Sequence, residues 1–154
     1  MSEMVARPAP AGEVHRVVFR ADLAADAAQI WALIGAFDSL PRWHPLVVEC
    51  TLEREAESGA VVRRIRLHDG TVIRNRLLEH DDRSRRYSYE FVEGPLKVKS
   101  YRATLQVTER GGGRATLDWV SEFKAGEETA DEVRARVESL VSPGIANLKR
   151  IFGG

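Results

Sequence analysis

A long amphipathic stretch at the C-terminal end, set against a body that alternates every second residue, restricts this chain to few architectures. Between Glu127 and Phe152 the apolar residues Val133, Val137, Leu140, Val141, Ile145, Leu148 and Phe152 recur at steps of three and four. That spacing places them on one stripe of a helix. Pro143-Gly144 interrupts the stripe; proline removes a backbone donor, and glycine removes side-chain volume. The pair predicts a kink and missing bulk where the helix faces its partner, which is one way to leave a cavity.

Upstream the period changes from three-and-four to two. His15, Val17, Phe19, Ala21 and Leu23 alternate with Arg16, Val18, Arg20 and Asp22, as in a half-buried strand. Asp26-Ala-Ala-Gln29 then reads as a capping box opening a short helix with Ile30, Trp31, Ile34 and Phe37, ending near Gly35. A second short turn, Asp38 to Trp43, leads into His44-Pro45, where the residue before proline is pushed to an extended conformation. Six further alternating segments follow, at about 46–54, 60–67, 71–80, 85–92, 99–109 and 114–123. Their expected inward faces include Val48-Cys50-Leu52, Val61-Ile65-Leu67, Ile73-Leu77, Tyr87-Tyr89-Phe91, Tyr101-Ala103-Leu105-Val107 and Leu117-Trp119-Phe123. Glycine- and aspartate-bearing turns separate them. The expectation is an α+β domain with helices on one face of a seven-stranded antiparallel sheet.

Composition narrows the function classes. Lys+Arg and Asp+Glu both number 23, so no net field recruits nucleic acid or an anionic membrane. The single cysteine, Cys50, has no disulfide partner and no companion for a thiolate metal site. No run approaches the ~18 apolar residues of a membrane span. The four histidines have no metal-ligand spacing, and no phosphate loop or nucleophile elbow is present, so no metal or cofactor is expected. Residues 1–12 read as a mobile tail ahead of one domain over 13–154, in a soluble cytoplasmic protein of open oligomeric state.

Several stretches together resemble the START/SRPBCC superfamily, in particular small bacterial proteins of the polyketide cyclase/dehydrase type. They are Ile30-Trp-Ala-Leu-Ile-Gly-Ala-Phe-Asp38, Leu40-Pro-Arg-Trp-His-Pro45, Tyr87-Ser-Tyr89, Glu93-Gly-Pro-Leu96, Tyr101-Arg-Ala-Thr-Leu105 and Trp119-Val-Ser-Glu-Phe123. The resemblance implies the helix-grip fold: a curved antiparallel sheet around the long C-terminal helix, with two short helices after the first strand. Asn75 stands where many relatives carry glutamate, and Lys97 follows Gly-Pro-Leu where a second proline is common. The fold hosts binders, carriers and enzymes alike.

Parity identifies the polar residues that share the inward face. Arg63 lies between Val61 and Ile65, and Asn75 between Ile73 and Leu77. A two-residue Asp69-Gly70 loop would turn Arg74 and Arg76 inward. A three-residue His68-Asp69-Gly70 loop with Gly70 in the left-handed region pairs 63 with 75 and keeps Ile73 and Leu77 buried, so the second register is expected. The candidate ligand-binding set is Trp43, His44, Arg63, Asn75, Tyr87, Tyr89, Tyr101, Trp119 and Ile145. Arg63 is either a paired strand residue or an anchor for a ligand oxygen. His44 is either a loop-locking hydrogen bonder or a proton carrier. The first functional reading is binding of a small hydrophobic molecule, aromatic or polyketide-like. The second, which the resemblance implies, is a cyclase/dehydratase in which Arg63 steadies an enolate and His44 or Tyr89 moves the proton. The third is a ligand-responsive regulatory module.

Overall fold

A computed structural model describes residues 12–154, so nearly all of the expected N-terminal tail lies outside the described residues. The strands are β1 (Val14–Leu23), β2 (Val47–Arg54), β3 (Val61–Leu67), β4 (Val72–Asp81), β5 (Arg86–Glu93), β6 (Val98–Gly111) and β7 (Arg114–Ala125). Helix α1 (Ala27–Ile34) and a 3-10 turn (Leu40–Arg42) follow β1, and α2 (Ala130–Phe152) closes the chain. The sheet order is β1-β7-β6-β5-β4-β3-β2, antiparallel throughout. Only the first of the two expected short helices is an α-helix; the second is a single 3-10 turn.

Local chemistry accounts for the element ends. The Gln29 side chain accepts the Asp26 backbone N–H at 3.1 Å, so the start of α1 is capped. The long helix starts three residues later than its periodicity suggests. Thr129 is the N-cap, accepting from the Glu132 N–H at 3.2 Å while Glu132 accepts from the Thr129 N–H at 2.9 Å. This is a capping box that the apolar spacing alone does not reveal. The helix continues through Pro143 to Phe152, burying Val133, Val137, Val141 and Leu148. Each such side chain contributes roughly 1.5–3 kcal/mol by leaving water.

The β3–β4 hairpin adopts the three-residue loop. Gly70 has φ +90°, and Arg63 pairs with Asn75. Arg74 and Arg76 accordingly sit on the outer face, where Glu53, Glu93, Glu55 and Glu90 pair with them. Strand β2 departs from its expected alternation. A register shift between Val47 and Glu49 buries Val47; Val48 and Leu52 are exposed and Cys50 is half-buried. Val48 sits at the bulge, while Cys50 and Leu52 pair with Ile65 and Arg63 and share their face, open to solvent because β2 is the edge strand farthest from β1 and β7, where α2 packs.

Candidate functional site

A cavity of about 80 Å³ lies between the sheet and the N-terminal half of α2. Its walls are mainly apolar: Leu40 and Leu46 come from the segment before β2, Ile65 and Ile73 from the hairpin, and Phe91 from β5. Pro95 and Leu96 of the following turn and Val137, Leu140 and Val141 of α2 complete the apolar wall. The 80 Å³ is about half the ~150 Å³ of an engineered cavity that admits benzene. The cavity is open on one side, so a ligand seated in it can extend beyond its walls.

Six of the nine candidate residues line the cavity: His44, Arg63, Asn75, Tyr89, Tyr101 and Trp119. Trp43, Tyr87 and Ile145 do not. Trp43 is buried beside it, edge-on to Trp119 with ring centroids 5.9 Å apart and its indole N–H donating to Ser39 Oγ at 3.1 Å. Tyr87 lies behind Arg63, packed among Trp31, Phe37 and His80. Ile145 is a turn too far along α2 and faces Val18 and Phe19 of β1.

The gap expected over Pro143-Gly144 is filled. A Cβ on Gly144 would stand 2.8 Å from His44 Cδ2 and 3.1 Å from Trp43 Cζ3. The missing side chain therefore makes room for two rings, and the cavity opens one turn nearer the helix start.

Arg63 is the chemical centre. It is 1% exposed, and among the described residues no carboxylate lies within ion-pair distance. Its Nε–H donates to Asn75 Oδ1 at 3.1 Å, and Nη1 donates to the Phe37 carbonyl at 3.0 Å and to Tyr87 Oη at 3.3 Å. The guanidinium carbon sits 4.3 Å from the Phe37 ring centre, 4.6 Å from that of Tyr89 and 5.5 Å from that of Tyr87. Of the five N–H donors of an arginine, the two on Nη2 make no hydrogen bond of ordinary geometry among the described residues, and the Tyr89 hydroxyl beside the guanidinium is the group that interacts with it on the cavity side. Phe37, which sequence periodicity places on α1, sits beyond that helix and supplies both a carbonyl and a ring. Nothing in its spacing signals either role.

The other polar groups are arranged around this charge. Tyr89 Oη accepts from the Trp119 indole N–H at 3.3 Å, and its own proton has no acceptor among the described residues. Burial raises the Tyr89 pKa, so the phenol stays protonated near neutral pH. Tyr101 Oη and Ser121 Oγ are bonded at 2.6 Å, and burial raises the Tyr101 pKa as well. Ser121 forms no nucleophilic constellation but completes this buried pair. Cys50, outside the lining, has its thiol pushed up to about 11 by burial.

His44 faces the cavity with both nitrogens committed. Nε2 lies 2.7 Å from the Leu140 carbonyl, and Nδ1 accepts the Leu46 N–H at 3.3 Å. This pattern requires the neutral tautomer carrying its proton on Nε2. Burial lowers its pKa, opposed by the Leu140 carbonyl and aided by the Arg63 charge. With Asn147 donating to the Trp43 carbonyl at 2.8 Å, the histidine ties the segment before β2 onto α2.

Residues 14–153 match the model of the family described as polyketide cyclase / dehydrase and lipid transport. The chain belongs to that family. A curated protein of similar sequence is the abscisic acid receptor PYL7 of Arabidopsis thaliana, 25% identical over 127 residues, covering 77% of this chain and 59% of the receptor. The chain thus spans less than two thirds of that relative's length. The solved structure of the protein XoxI from Bacillus cereus is 29% identical, with TM-score 0.81, covering 89% of this chain and 94% of the other. The Zhui aromatase/cyclase of Streptomyces sp. R1128 is 18% identical with TM-score 0.67, covering 90% of this chain and 95% of its own; that likeness concerns the fold alone. The helix-grip fold of the family is the architecture seen here. Among the described residues no helix is long and apolar enough to cross a membrane.

Proposed function

We propose that this family member binds a small, mostly apolar molecule in the cavity and holds one of its oxygen atoms on Arg63. The observation that carries this reading is a buried guanidinium in the lining of a mainly apolar chamber, with no carboxylate partner among the described residues and Nη2 outside its three hydrogen bonds to Asn75, Phe37 and Tyr87. A purely structural arginine would use all its donors or pair with a carboxylate, because leaving a buried charge uncompensated costs several kcal/mol. A relative named for abscisic acid makes a small organic ligand a reasonable expectation for this chain too. The cyclase reading has less support. His44 has no ring nitrogen free for proton transfer.

Arg63→Met tests the proposal, since it keeps most of the bulk and removes the charge. Thermal melts with a panel of aromatic acids, phenols and their uncharged analogues read out binding. Affinity for the oxygen-bearing ligands should fall by ~1.5–3 kcal/mol, the range for a hydrogen bond to a charged group. The unliganded melting temperature should move only a few degrees, because removing a buried charge offsets the acceptors of Asn75, Phe37 and Tyr87 that lose their donor. Unchanged affinity with a melting temperature several degrees lower would make Arg63 structural and end this reading.

A further inference from the structure

The donor and acceptor wiring around Arg63 says more about the ligand than its polarity. We infer that Asn75 sets the charge of the ligand, so that the cavity selects an anion and, by its planar geometry, a carboxylate. This deepens the binding proposal above and rests on it.

Arg63 Nε can only donate, so the Asn75 atom facing it at 3.1 Å must be the carbonyl oxygen Oδ1. That fixes the amide, and its NH2 group, which has no partner among the described residues, is left on the cavity side. Tyr89 is fixed in the same way. Its oxygen receives the Trp119 N–H, which leaves the phenol proton to be given away. His44 contributes no free acceptor, because Nδ1 already receives the Leu46 N–H. Around the guanidinium the groups left to a ligand are Arg63 Nη2, Asn75 Nδ2 and the Tyr89 hydroxyl, all donors, while Tyr101 Oη, also in the lining, is taken up by Ser121 Oγ at 2.6 Å. A ligand head must bring acceptors only, and a carboxylate with its four lone-pair sites meets that demand.

Charge points the same way. Asparagine and aspartate have the same shape, yet aspartate at position 75 would neutralise Arg63 within the protein. Asparagine supplies the same hydrogen bond without doing so, and the positive charge is left for the ligand. Position 75 is thus a specificity position: the amide admits an acid, and a carboxylate there would exclude one by repulsion while accepting from a neutral donor.

Asn75→Asp tests this in the full chain, with benzoate against benzamide and hexanoate against hexanamide as matched probes. Calorimetry or melting shifts at pH 7 read the acid-to-amide preference. The unmodified protein should favour the acid by about ten- to a hundred-fold. In Asn75→Asp that preference should vanish or invert. The unliganded variant should also melt higher than the parent at pH 7, and lose that advantage at acid pH as the new carboxyl protonates. Equal binding of acid and amide by the parent, or the same preference in both proteins, would overturn the assignment, as would a lower melting temperature for Asn75→Asp at pH 7. If the parent binds none of the probes while Asn75→Asp gains its pH-dependent stability, Arg63 is uncompensated as described and the binding proposal is what fails.

Discussion

Gly144 gives the sharpest test of how the helix meets the rest of the domain. It sits inside α2 with helical geometry, where alanine is ordinarily preferred by about 0.8–1.0 kcal/mol. Helix propensity alone therefore predicts that Gly144→Ala stabilises. Packing predicts the opposite. The added Cβ would stand 2.8 Å from His44 Cδ2, 3.1 Å from His44 Nε2 and 3.1 Å from Trp43 Cζ3. Restoring ordinary contact demands movement of roughly half an ångström by rings that have little freedom. His44 is held at 2.7 Å from the Leu140 carbonyl. Trp43 is held at its indole nitrogen by Ser39 and at its carbonyl by Asn147. Overpacking a tight core costs about 1–3 kcal/mol, and pinned rings favour the upper half of that range. After subtracting the propensity gain, the net loss is about 1–2 kcal/mol, a fall in melting temperature of roughly 2–8 °C for a domain of this size. Differential scanning calorimetry measures it directly. In a His44→Ala background the two closest contacts disappear, so the cost of adding the methyl should shrink. A Gly144→Ala protein that melts higher than the parent would refute the packing argument.

Two smaller expectations follow from the same structure. Because burial lowers the His44 pKa below its usual 6.5, the unfolded chain takes up a proton first as pH falls; stability should be complete above about 6.5, decline below it, and decline less in His44→Gln when melting temperature is followed from pH 7.5 to 5. Thr129→Ala removes the N-cap acceptor of α2 and should cost ~0.5–2 kcal/mol in urea unfolding, with no change in the rank order of ligands.

What was readable in the sequence was what depends on period and parity. Alternation set the strands, and the demand that Ile73 and Leu77 stay buried chose between two hairpin registers. That choice put Arg63 opposite Asn75 and Gly70 at positive φ. What was not readable depends on approach through space. Nothing in the spacing of Pro143-Gly144 says that Trp43 and His44, a hundred residues earlier, occupy the space above the glycine. The bulge in β2 breaks parity at Val48, whereas Leu52 shares the face of its partner Arg63 and is exposed because it lies on the edge strand. Tyr87 has the parity of a lining residue and the depth of a supporting one, a distinction alternation cannot make.

Arg63 also raises an energetic question that its surroundings answer in part. A lone guanidinium in an apolar interior would destabilise the domain unless something offset its lost hydration. Stacking against Phe37, Tyr87 and Tyr89 supplies some of that offset, at up to ~2 kcal/mol for a desolvated cation over a ring. Three hydrogen bonds to neutral oxygens supply more. These contacts set three rings within 5.5 Å of the guanidinium carbon and occupy three of its donors. They let the charge remain buried without a protein carboxylate, and they hold the Nη2 edge in one orientation. A site prepared in this way loses little conformational freedom when a ligand arrives, so more of the interaction energy appears as affinity. The same contacts that make the buried arginine tolerable to the fold thus leave its unpaired edge rigid and directed into the cavity.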